Sequence, residues 1–144
     1  MMTDLKIALM DLQCEMVAER SLANPDDITW LQYDILNRLD KSEKVLPSYL
    51  SVSLGVSRTK LSKSLKNLKA LGLIEQSPSL TDGRELYTSI TAHGVKLLAS
   101  ISDRHHLLHQ TAFHALTVQE QKDFATLANK FSTALRKERI GRHE

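Results

Sequence analysis

The chain has 144 residues, 42% of them hydrophobic and 5% aromatic, with a formal net charge of +2. That length suits one domain or two intimately packed small ones, the balance favours helices over a β-sandwich, and the near-neutral charge excludes a polycationic coat protein. A single cysteine, Cys14, excludes an intrachain disulfide and fits a reducing compartment, and no stretch approaches the roughly 18 apolar residues of a membrane span. Residues 1–10 lack a signal-peptide pattern, so the expectation is a soluble cytoplasmic protein with no membrane partner. Charge is unevenly placed: acids gather early, at Asp4, Asp11, Glu15, Glu19, Asp26 and Asp27, while bases gather over 58–69 and 136–142. A local basic face on a near-neutral body suits a specific DNA binder.

Taken in order, Leu5, Leu9, Leu12 and Met16 recur at helical spacing and predict a first helix to about Arg20. Asn24, Pro25, Asp26 and Asp27 form a turn, since proline cannot continue a helix and Asn and Asp tolerate turn geometry. Thr29 and Gln32 have the spacing of a capping box, and Leu31, Ile35 and Leu39 line a second helix to about Asp40. Residues 40–44 read as a charged loop.

Residues 46–72 organise the chain as a helix, a tight turn and a second helix. Small Ser51 four residues before Gly55 allows close packing and then a turn, the usual joint of a helix-turn-helix. Ser57 is placed to cap the next helix. Leu61, Leu65 and Leu68 form its buried stripe, Thr59, Ser62, Lys63 and Lys66 point away, Arg58, Lys60 and Lys69 flank, and no acid occurs over 57–71. A helix about 10–12 Å across fits the major groove of DNA, about 12 Å wide, so 57–71 reads as a recognition helix. A merely solvated basic face is the competing reading.

Gly72 is a helix-stop signal. Two short strands follow, the first beginning at Leu73-Ile74-Glu75 and the second over 86–90, with Leu86, Thr88 and Ile90 on one side and Tyr87 and Ser89 on the other. Joined by a turn-rich loop, they form a wing with Arg84 at its tip, beside Gly83, and arginine suits the narrow, electronegative minor groove. Thr91 opens a long helix to about Ala115; Thr117 with Glu120 makes another capping box, and Phe124, Leu127, Phe131 and Leu135 stripe a last helix. The first and last helices carry more apolar surface than the small winged lobe covers, which predicts a homodimer. The fold class is therefore mainly α with a small β-wing (α+β), a winged helix-turn-helix with a helical dimerisation domain.

This order of elements, with Leu50-Ser51, Gly55-Val56-Ser57, Leu68-Lys69-Ala70-Leu71-Gly72-Leu73-Ile74, Asp82-Gly83-Arg84 and Ile90-Thr91-Ala92-His93-Gly94, resembles the MarR-type (multiple-antibiotic-resistance regulator) transcription factors. The resemblance covers nearly the whole chain. It implies a dimerisation helix over 1–27, a winged helix-turn-helix DNA-binding domain over 28–91 and dimerisation helices over 92–144. It implies a homodimeric regulator, usually a repressor, with recognition helices in successive major grooves of a near-palindromic double-stranded operator. Carried onto this chain, Ser57, Arg58, Thr59, Lys60, Ser62, Lys63 and Lys66 would meet bases and phosphates, Arg84 would reach the minor groove, and Asp82 would hold Arg84. Gln76 stands where the family often has a basic residue. By chemistry, Lys63 and Lys66 suit phosphates, and Arg58, Thr59 and Ser62 suit base edges.

No cofactor is required on this reading, but three signals are open. The resemblance implies a small organic effector between the DNA-binding lobes and the dimer domain. His105 and His109, at i and i+4 on the long helix, present two imidazoles toward zinc on the side of Leu98 and Ala112, with Asp34 or Cys14 as a third donor; hydrogen-bonded interface histidines are the plain alternative. Cys14 on the first helix, near Trp30 and Tyr33 of the second, parallels redox-sensing relatives, although acidic Asp11 and Glu15 disfavour a thiolate and a structural cysteine is the alternative. Catalysis finds no support: there is no Gly-rich phosphate loop, nucleophile elbow or H-E-x-x-H. A winged helix that binds protein is the remaining alternative.

Overall fold

A computed structural model of the chain describes residues 3–23, 25, 27–78, 86–103 and 105–143. Along these run α1 (Asp4–Leu22), α2 (Trp30–Asp40), α3 (Pro47–Leu54), α4 (Arg58–Ala70), β1 (Ile74–Pro78), β2 (Leu86–Ile90), α5 (Ala92–Asp103), α6 (His106–Ala115) and α7 (Val118–His143).

The helix starts are set by the residues the sequence offers as caps. Thr29 and Gln32 close a reciprocal box, the Thr29 hydroxyl accepting from the Gln32 N–H at 3.1 Å and the Gln32 side chain accepting from the Thr29 N–H at 2.9 Å. Thr117 and Glu120 repeat it at the start of α7. Pro47 opens α3, where a missing N–H costs nothing. Both α3 and α4 stop in a paired-bond turn at a glycine of positive φ: Val56 donates to the Ser51 carbonyl around Gly55, and Leu73 donates to the Leu68 carbonyl around Gly72.

Those stops aim α3 across α4 and return the chain as an antiparallel ribbon with Ile74 opposite Ile90 and Pro78 opposite Leu86. Val45 adds a third rung, exchanging both backbone hydrogen bonds with Thr88 at 2.8 and 2.9 Å. The loop expected over 40–44 thus leads directly into sheet pairing. Thr88 is fully buried, its hydroxyl accepting from the Gln76 side chain at 3.2 Å.

The core is the inside of this winged lobe. Ile35, Leu36 and Leu39 of α2, Leu50 of α3, Leu61 and Leu68 of α4, Leu73, and Ile101 of α5 are sealed from solvent. Because α2 packs on α3, α4, α5 and β2, its buried face is wider than a single stripe: Leu36 is fully buried, while Leu31 of the expected stripe is only partly covered. Outside the lobe, α1 has no buried residue within one chain, and Phe113, Phe124, Leu127, Phe131 and Leu135 of α6 and α7 lie exposed.

The single helix expected from Thr91 to Ala115 is corrected to two. α5 ends at Asp103 and α6 begins at His106. Between them the His105 N–H bonds the Ser102 carbonyl at 3.0 Å, an i to i−3 closure that tightens the helix end. The break turns the His105 ring against Trp30 and Tyr33, with ring centroids 5.3 and 5.7 Å away.

Candidate nucleic-acid interface

The interface is built on α4. Leu61, Leu65 and Leu68 anchor one side in the core, so the helix is held along its length by its buried face. Ser57 caps it, the hydroxyl accepting from the Lys60 N–H at 3.2 Å. With that side fixed, Arg58, Thr59, Lys60, Ser62, Lys63, Lys66 and Lys69 are all exposed. Their positive charge is carried on a fixed rod, and its spacing is set by the helix.

The rod has two faces. Arg58, Ser62, Lys66 and Lys69 line a concave groove of about 420 Å³ closed on its other side by Pro47, Gln76 and Leu86. Lys60 and Lys63 instead face Thr29, Leu31 and Gln32 at the start of α2, and Lys66 borders both surfaces. The residues read from sequence as one set are thus divided by the curve of the helix, and Lys69 joins the wing-side group. Its signal was its place at the end of an acid-free run. Gln76 sits in the groove but spends its amide on Thr88. The wing strands are in place, and Lys44 covers the Tyr87 ring at 5.4 Å; Asp82 and Arg84 lie outside the described residues.

The sequence model of the MarR family matches residues 26–85, which span α2 to the foot of β2. That stretch of the chain matches the MarR family. No curated protein matches the chain. Among solved structures, apo wild-type MarR from E. coli superposes with a TM-score of 0.70 at 24% identity, covering 91% of this chain and 97% of that one. A mutant MepR from a multidrug-resistant clinical isolate of S. aureus gives 0.72 at 20%, covering 93% and 99%. PcaV from Streptomyces coelicolor, in complex with its natural ligand, gives 0.65 at 20%, covering 89% and 91%. The fold, helices and small sheet alike, is that of MarR-family regulators.

Beside the MarR-type lobe, the junction of α1, α2 and the α5–α6 break holds a second site. Arg20 grips Asp34 with both terminal guanidinium nitrogens and lies over the Trp30 ring at 4.7 Å, and the Trp30 indole N–H donates to the Arg20 carbonyl at 2.9 Å. Tyr33 reaches Ser102 at 3.3 Å. A cavity of about 460 Å³ lies here, lined by Met16, Glu19, Arg20, Tyr33, Asn37, His105, Leu107 and Leu108. His105 Nε2 is buried without a hydrogen-bond partner. Burial first, then the His109 ring and Arg20, hold the His105 pKa below the usual imidazole value.

The zinc expectation meets a different geometry. His105 stands at the N-cap position of α6 without a side-chain capping bond, whereas His109 is exposed on the helix, with ring centroids 6.4 Å apart. Among the described residues no group of three His, Cys, Asp or Glu is placed to hold a metal ion. Asp34 is engaged by Arg20. Cys14 is exposed on α1, and the aromatic pair read as its neighbours, Trp30 and Tyr33, packs around His105 instead. Sequence spacing signalled the two histidines but not this aromatic setting, because only the break in the helix brings it together.

Proposed function

We propose that the protein is a sequence-specific, double-stranded-DNA-binding transcriptional regulator that acts as a homodimer. The observation that carries this reading is α4, which presents Arg58, Thr59, Lys60, Ser62, Lys63 and Lys66 outward from a fully anchored leucine stripe, with no acid from 57 to 71. Bases and phosphates are met by different chemistry: Lys63 and Lys66 suit phosphate oxygens, Arg58, Thr59 and Ser62 suit base edges, and Arg84 of the wing suits the minor groove. A mutant MarR from E. coli, which matches this chain at a TM-score of 0.61 and 22% identity, covering 90% of this chain and 99% of that one, is solved in complex with operator DNA. Repression is the mode that the family resemblance suggests.

Dimerisation is supported by the exposed apolar residues of α1, α6 and α7. A twofold pair sets two recognition helices about 34 Å apart for half-sites about 10 bp apart. Of the three signals open to this chain, an organic effector is the one the geometry supports best. The cavity beside His105 is within the size range of small-molecule sites, about 300–1,000 Å³, and combines apolar walls with the polar side chains of Glu19, Arg20 and Asn37. A ligand there would touch α1, α2 and α6 together, and so bias the angle between the winged lobe and the helices outside it.

The test is duplex binding by fluorescence anisotropy across a salt series. Wild type binds with an affinity that falls steeply as salt rises, and Lys66→Ala lowers the slope of log K against log salt by about one unit per protomer on every sequence. Altered base preference at an unchanged slope rejects the phosphate role of Lys66. Absence of salt-dependent duplex binding rejects the function and leaves the protein-binding winged helix.

A further inference from the structure

A second cleft opens where the end of α7 crosses the elbow between α3 and α4. It encloses about 500 Å³, and Gly55, Ser57, Arg58, Arg139 and Arg142 are among its walls. Arg139 is fixed in place: its Nε and Nη2 both donate to the Ser53 carbonyl, at 3.0 and 2.8 Å. Ser53 lies in the last turn of α3, where carbonyls lack helical partners and carry the negative end of the helix dipole, so a guanidinium is a favourable cap. The arginine stem passes Gly55 at ordinary contact distance, a Cβ built there standing 3.5 Å from the Arg139 Cδ, so it is the positive φ of 69° that favours glycine at this turn.

The positive charge extends behind this wall. Arg38 of α2 buries Nη1 without a hydrogen-bond partner. Its pKa is pulled down by burial first and then by Arg136 and, more weakly, Arg139, with Tyr49 and Asp34 acting the other way. Arg142 spends only its Nε, on the Glu138 carbonyl at 3.4 Å. Among the described residues no carboxylate forms an ion pair with Arg38, Arg58, Arg136, Arg139 or Arg142. Like charges gathered this closely repel, and a guanidinium stripped of water without a partner is costly. An anion in the cleft offsets the repulsion among Arg58, Arg139 and Arg142, and the guanidinium fork matches the oxygens of a phosphate.

The course of the charge selects the source of that phosphate. Arg58 lines this cleft and also the groove beside Lys66 and Lys69. One cationic track therefore runs from Lys69 through Lys66 and Arg58 to Arg142 and Arg139. We propose that the C-terminal end of α7 belongs to the DNA-binding surface, with Arg142, Arg139 and Arg58 seating a backbone phosphate of the duplex beside the start of the recognition helix. This rests on the DNA-binding reading above. It gives a helix outside the winged lobe a direct hold on the duplex.

Arg142→Ala is the informative variant, because that side chain bonds only its own helix. Binding of the full chain to a duplex of random sequence is measured from about 50 to 300 mM salt, beside Lys66→Ala, Arg142→Lys and Lys130→Ala, the last removing an exposed charge elsewhere on α7. The expected result is a slope lower by about one unit per protomer for Arg142→Ala, largely restored by Arg142→Lys and unmoved by Lys130→Ala. An unchanged slope in Arg142→Ala while Lys66→Ala lowers it overturns the proposal and leaves the DNA-binding function standing. A wild type that binds no duplex overturns both. A parallel thermal melt with inorganic phosphate separates the other source: stabilisation that is lost in Arg142→Ala, with the DNA slope unchanged, assigns the seat to a free anion and also overturns the proposal.

Discussion

Gly94 shows how one residue carries a junction. A Cβ there would stand 2.3 Å from the Leu73 carbonyl oxygen and 2.7 Å from the Ile90 side chain. The neighbouring Thr91 ties the same seam, donating its hydroxyl to the Gly72 carbonyl at 2.7 Å and accepting from the Gly94 N–H at 3.1 Å. The Thr-x-x-Gly spacing is therefore a packing device that brings the start of α5 onto the turn after α4. Gly94→Ala is expected to cost about 1–3 kcal/mol by overpacking against backbone that cannot move aside, seen as a lower denaturation midpoint. His105 supplies a pH signature at the same scale. Its folded-state pKa lies below the unfolded value, so the unfolded chain takes up more protons as pH falls through the ordinary imidazole range. The stability contributed by neutral His105 is complete above that range and is lost on acidification toward the folded value. Wild type should accordingly lose more melting temperature between pH 7.5 and about 5.5 than His105→Gln does, with Arg20, Asp34 and His109 kept intact in both; equal losses would remove the role.

At the scale of the element, α4 separates stability from binding. Leu65 is buried and Lys63 exposed on the same helix. Leu65→Ala should destabilise the lobe by about 2–5 kcal/mol, whereas Lys63→Ala should stay within about 0.5 kcal/mol of wild type and yet weaken duplex binding. Denaturant melts and anisotropy on the same two variants check the division; a destabilised Lys63→Ala would show that its charge serves the fold. The same helix shows what periodicity reveals. Leu61, Leu65 and Leu68 at i, i+4 and i+7 are all buried, because one face meets the core. α2 departs from its simple stripe, with Leu36 buried and Leu31 partly open, because neighbours pack on several of its sides. The break at His105 had no proline or glycine to announce it. It is set by tertiary contact with Trp30 and Tyr33, which local spacing does not record.

For the whole molecule, the uncovered helices are the main fact. Leu5, Met10, Met16, Phe124, Leu127, Phe131 and Leu135 are exposed in a single chain, more apolar surface than a solitary particle leaves in water without cause. Light scattering should give twice the chain mass at micromolar concentration. The double variant Leu127→Glu, Phe131→Glu should fall to the mass of one chain and lose most of its operator affinity, since one recognition helix then binds without the other. A wild type of single-chain mass would defeat the dimer. The lobe itself should survive in that variant, because its core contains no residue of α7.

The amino-acid order alone determined the local features: the three capping residues Thr29, Ser57 and Thr117, the glycine stops at Gly55 and Gly72, and the leucine stripe that turns the basic face of α4 outward. Each depends on residues within a few positions of one another, so the chain carries the information in its own spacing. Only the tertiary structure decided which distant groups meet: Val45 with Thr88, His105 within the ring pair of α2, and Arg139 on the end of α3. Those pairings bring together residues 43, 72 to 75 and 86 positions apart, and they follow from how the helices cross and where one breaks, which no repeat along the sequence encodes.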